Sequence, residues 1–213
     1  MKVYHGSKLR LPKPKNKGSK EDNDYGPAFY LSRDLKSAHE WACRNNTVGI
    51  VNEYELNTNG LKILDLTDKE KYSVLNWVAV LLHFRNLEAS FIRAFQSRLK
   101  YIEENYYIDV TNYDLVIGYR ADDAYFRFPL DFLRGNLTLE QLEYSFNLGK
   151  LGIQYVITSQ KGIDHLSFIN SFPSEEKYIN QYFNRVTTAS EAFDSLNKDE
   201  EGIRIIDIMR NKK

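Results

Sequence analysis

At 213 residues, 42% hydrophobic and 27% charged, the chain has the make-up of one ordinary globular domain and is long enough to bury a substantial core. Its 29 basic and 29 acidic residues cancel, so overall charge asks for neither nucleic acid nor an anionic membrane. Cys43 is the single cysteine, which excludes an internal disulfide framework and points to a reducing, cytoplasmic setting.

The start, MKVYHG, lacks the basic region and apolar stretch of a signal peptide, and KVYHG is predicted as a first strand. SKLRLPKPKNKGSKEDND follows, a long loop with two prolines and no apolar periodicity. Six cations, Lys8, Arg10, Lys13, Lys15, Lys17 and Lys20, precede its first acid, Glu21. Two readings stand: a cover offering cations to phosphates, or a solvated loop. PAFYLS, 27–32, is a short strand, and RDLKSAHEWACRNN places Leu35, Ala38, Trp41 and Ala42 on one helical face. GIVNEYEL, 49–56, and LKILDL, 61–66, are strands joined as a hairpin by the turn residues NTNG.

Thr67 and Glu70 have capping-box spacing and open a predicted helical stretch to about residue 104, broken near Asn86. Its apolar part, VLNWVAVLLHF, is too short to span a bilayer, so it reads as a buried helix. YDLVIGYR, 113–120, is a buried strand that runs into ADDAYFRFPLDFLRG. TLEQ, 138–141, caps a further helix, and IQYVITS, 153–159, is a strand. Two short helices are expected over 174–197, then a last strand or helix with a basic tail. The sum is a single α+β domain over 1–213: core motifs in 1–45 and 105–170, a helical insertion over 68–104, and a C-terminal helical extension over 171–213.

The sequence contains no P-loop, dinucleotide-binding glycine fingerprint, Cys/His metal cluster or Gly-x-Ser-x-Gly elbow, and no metal is expected. What remains is three separated polar signals on strands: His5-Gly6-Ser7, Tyr30 in YGPAFYLS, and Gln154 in GIQYVI. In order and local style, YHGS, YGPAFYLSRDLKSAHEWAC and GIQYVITSQKGIDHLSF resemble the ADP-ribosyltransferase superfamily, especially its poly(ADP-ribose) polymerase and diphtheria-toxin-like branch. The resemblance covers roughly the first 45 residues and 150–168, with the middle unmatched.

That resemblance implies a split two-sheet core with NAD, as substrate, across the cleft. His5 would bond a ribose hydroxyl, and the backbone of Gly6, next to Ser7, would grip the nicotinamide carboxamide. Tyr30 would stack on the nicotinamide ring, Ser37 would bond its carboxamide, and Trp41 or Tyr25 would supply a second aromatic wall. Trp41 stands one place later than the family's usual aromatic. Where the family carries its catalytic glutamate, this chain has Gln154, which accepts a hydrogen bond and contributes no charge. Asp122 and Asp123, just past the strand 113–120, are the nearest candidate replacements, with a helix N-cap plus a surface charge as the bland reading. The implied activity is transfer of ADP-ribose from NAD to an unknown acceptor, or NAD hydrolysis. The alternatives are an NAD- or ADP-ribose-binding module without turnover and an interaction protein borrowing the fold. Small bacterial members of the superfamily are often toxins, which implies an antitoxin partner.

Overall fold

The computed structural model describes residues 1–16, 18–44, 46–121, 125–146, 148, 152–196 and 201–211. Asp122 and Asp123 lie outside the described residues. Among the described residues, seven strands form two sheets, and helices cover both outer faces. The first sheet has the order β1 (Lys2–Ser7), β3 (Ile50–Leu56), β7 (Leu166–Pro173), antiparallel throughout. The second has the order β2 (Phe29–Leu31), β6 (Ile153–Ile157), β5 (Leu115–Tyr119), β4 (Ile63–Asp65), with β4 and β5 parallel. The molecule is thus α+β.

Alternation along the strands builds this layering, because successive side chains leave a strand on opposite faces. Val3, Tyr54 and Leu56 of the first sheet meet Phe29, Leu31, Leu115 and Ile157 of the second in a shared core. From the reverse of the second sheet, Leu64, Val116 and Val156 face α2 (Val74–Phe84) and its neighbours. Trp77, Val78, Val80 and Leu81 of α2 are fully buried, each apolar side chain contributing about 1.5–3 kcal/mol by leaving water. The other helices are α3 (Ala89–Tyr106), α4 (Arg127–Arg134), α5 (Leu139–Ser145), α6 (Gln160–Asp164), α7 (Lys177–Asp194) and α8 (Ile205–Asn211).

On the far side of the first sheet lies α1 (Leu35–Ala42), which sets Ala38 and Ala42 on Val51. Asp34 starts it by accepting the amides of Lys36 and Ser37 at 3.1 and 3.0 Å. A Cβ on Gly6 would collide with the carbonyl oxygen of Ala38 and lie 2.6 Å from the Ala42 nitrogen, so that glycine lets α1 rest directly on β1. Arg185 of α7 then ties the far end of the chain to α1, reaching the buried carboxylate of Glu40 at 2.7 and 2.9 Å.

Three local expectations are corrected. The strands at 49–56 and 61–66 form no hairpin, because β3 and β4 belong to different sheets and β4 pairs with β5 instead. Thr67 does not open a helix. Its hydroxyl bonds Asp65 at 2.6 Å while Asp68 turns the chain onto Lys71, and the capping box falls on Ser73 and Asn76, where the apolar run begins. Among the described residues of 174–197 there is one helix, α7, in place of two. The capping box at Thr138 and Gln141 and the break around Asn86 are both present.

Candidate functional site

β1 and β2 meet at a single isolated rung, where Tyr4 and Ser32 exchange backbone hydrogen bonds of 2.8 and 2.9 Å. In an antiparallel strand, alternate residues turn both peptide groups to the same side. Tyr4 faces β2, so Gly6 also aims its N–H and C=O to that side, opposite Tyr30, where the sheets have parted and the ladder does not continue. The parting opens a cleft of about 150 Å³ that is partly open to solvent.

Six of the residues singled out in the sequence converge here: His5 and Gly6 from β1, Tyr30 from β2, Ser37 and Trp41 from α1, and Gln154 from β6. His5 holds its Nδ1 2.7 Å from the Tyr30 carbonyl, which only accepts, so Nδ1 carries the proton and Nε2 keeps its lone pair. Burial pushes the His5 pKa below the ordinary value and keeps the ring neutral, against the opposing pull of that hydrogen bond. The Tyr30 hydroxyl donates to Gly26 O at 2.6 Å and accepts from the Tyr25 amide at 3.1 Å, which locks the ring as a wall. Burial also holds its phenol far above the ordinary value, so it stays protonated. The Ser37 hydroxyl donates to Asp34 at 2.6 Å.

Gln154 is buried and aimed into the cleft. Its Nε2 donates to Asp24 Oδ2 at 2.8 Å. The same oxygen accepts the Ala121 amide at 2.9 Å, and Arg85 Nε stands 3.7 Å from Asp24 Oδ1. Ser7 does not line the cleft; its hydroxyl serves the base of the loop, bonding Leu9 and accepting from Asn52 at 3.2 Å. Tyr25 is buried in the core with its hydroxyl on Tyr119 O at 2.8 Å, so among the two aromatic candidates it is Trp41 that faces the cleft.

Sequence reasoning missed Asp24 and the arginines Arg44, Arg85 and Arg120, all of which line the cleft. Arg44 and Arg120 each set a guanidinium 4.5 Å from the centre of the Trp41 ring. The described lysines of the basic loop do not line the cleft; the loop contributes Ser19, Asn23 and Asp24. Arg120 carried a faint signal, standing directly after a buried strand at the strand's carboxyl end. Arg85 and Asp24 carried none, because tertiary packing of α2 against the loop brings them together. Among the described residues, no group of three or more His, Cys, Asp or Glu side chains could hold a metal ion, and no helix is long and apolar enough to cross a membrane.

The family model described as "Protein of unknown function (DUF3990)" matches residues 1–168. The chain belongs to the DUF3990 family. Its matched span runs from β1 into β7 and takes in every residue that lines the cleft, while α7 and α8 lie beyond it. No curated protein and no solved structure matches this DUF3990 member.

Proposed function

We propose that the protein binds NAD in this cleft and transfers its ADP-ribosyl group to an acceptor, water included. The observation that carries the reading is the convergence of His5, Gly6, Tyr30, Ser37, Trp41 and Gln154, from four separate elements, on one cavity where the two sheets part. The split two-sheet core also supports the fold that the ADP-ribosyltransferase resemblance implies.

In this reading the Gly6 N–H and C=O take the carboxamide of nicotinamide, and Tyr30 stacks on its ring. His5 Nε2 and Gln154 Oε1 accept from ribose hydroxyls. Arg44 and Arg120 suit the diphosphate, since among the described residues the cleft sets three arginines against one carboxylate. In the reaction, the bond between the ribose anomeric carbon and the nicotinamide nitrogen breaks. The electron pair leaves with nicotinamide and neutralises its pyridinium charge. The anomeric carbon, left oxocarbenium-like, bonds the acceptor, which gives up its proton. Acceptors on the solvent side of the cleft have access.

A second reading rests on Gln154 being an amide: the cleft binds NAD or ADP-ribose without cleaving it. Nicotinamide release and calorimetric NAD binding, wild type beside Gln154→Ala, separate the two. Release that drops by about 10²-fold or more in the variant supports transfer. Binding without release supports the second reading, and absence of both rejects the NAD site.

A further inference from the structure

We infer that Asp24 is the positioning residue for Gln154, so that an amide–carboxylate pair does the work of a single acidic side chain; this rests on the NAD reading above. A carboxylate only accepts, so the Gln154 end within 2.8 Å of Asp24 Oδ2 must be the NH2 group. That contact fixes the amide flip and leaves Oε1 as the atom that accepts a ribose hydroxyl. The carboxylate is itself held from three sides: by Gln154, by the Ala121 amide at 2.9 Å and by Arg85 at 3.7 Å. Asp24 is buried and lines the same cleft. Its negative charge therefore sits one hydrogen bond behind the amide, polarising it toward the side where the oxocarbenium charge develops. No other acid lines the cleft among the described residues.

The test compares wild type, Asp24→Ala, Gln154→Glu and the exchange variant Asp24→Asn/Gln154→Glu, with NAD affinity from calorimetry, nicotinamide release and its pH profile. Asp24→Ala is expected to lower the release rate by about 10–100-fold while NAD affinity changes less than about 3-fold, since the lost interaction acts in the transition state. Gln154→Glu alone sets two carboxylates against each other, so its activity falls and shows a raised apparent pKa. The exchange variant restores one amide and one carboxylate, with the asparagine NH2 group at position 24 turned to the new carboxylate at the expense of the Ala121 amide's acceptor, and is expected to release nicotinamide faster than Gln154→Glu alone, a non-additivity that separate roles would not produce. Should Asp24→Ala fail to fold, Asp24→Asn, whose amide oxygen can still accept from both Gln154 and the Ala121 amide while the charge is gone, decides in its place: release at the wild-type rate overturns the assignment. An exchange variant no faster than Gln154→Glu, or Asp24→Ala at the wild-type rate, overturns the assignment with the NAD reading intact. Wild type that binds NAD without releasing nicotinamide also overturns it, and wild type that does neither removes the NAD reading and this assignment together.

Discussion

At the residue scale, His5 links the site to stability. Burial lowers its pKa below the ordinary 6.5, so the unfolded chain binds a proton more readily than the folded one as pH falls. Stability is thus full above 6.5 and declines as pH drops toward the folded-state value. His39 shifts in the same direction by burial and adds to the slope. Replacing His5 by Gln removes its share, which is about 1.4 kcal/mol for every tenfold difference in proton affinity between the folded and unfolded chain. Urea unfolding at about pH 7.5 and about pH 5.5 is expected to show a smaller loss for His5→Gln than for wild type; equal losses would reject the linkage. Around His5, the lining of the cleft was legible where residue type and place in a strand coincided, as for Tyr30 and Gln154. Asp24 and the arginines were not, because nothing local distinguishes them from ordinary surface charges.

At the element scale, α1 carries two site residues and is positioned by what β1 lacks. KSAHEWA could form an amphipathic helix anywhere; what lowers it onto β1 is the absent Cβ at Gly6, backed by Gly49, where a Cβ would lie 2.5 Å from the Ser7 carbonyl oxygen. Gly6→Ala is expected to cost about 1–3 kcal/mol, since the overlap is with helix backbone, and to shift α1 away from the cleft. Thermal unfolding checks the first part, and quenching of Trp41 by iodide, beside the buried Trp77, checks the second. A variant with unchanged melting would mean that α1 rests on other contacts. Read as sequence, the glycine in HGS serves a ligand. In the fold its hydrogen side receives the helix, while its peptide groups face the cleft.

At the scale of the whole molecule, the cleft exists because the two sheets share a core along most of their length and separate beyond Tyr4 and Ser32. A ligand bridging β1, β2, α1 and β6 binds the folded state alone and must stabilise it. NAD at about 100 times its dissociation constant would add about 2.7 kcal/mol. A chain of this size gains about 2–4 °C in Tm per kcal/mol. A rise of about 5–10 °C in differential scanning fluorimetry is therefore expected, and no rise at millimolar NAD would reject the site.

The sequence by itself determined strands β1 to β6, the buried helix at Val74–Phe84, the capping box at Thr138 and the order of the His5, Tyr30 and Gln154 motifs, because each depends on neighbours within a few positions. Only the tertiary structure decided which strands pair. NTNG reads as a hairpin turn, yet β4 gains more by adding in parallel to β5, where Leu64 joins Val116 and Val156 beneath the helices. Tertiary structure likewise decided the electrostatics of the cleft: Asp24, Arg44, Arg85 and Arg120 come from four separate segments, and an electrostatic partnership across such distances in the chain leaves no periodic trace in it.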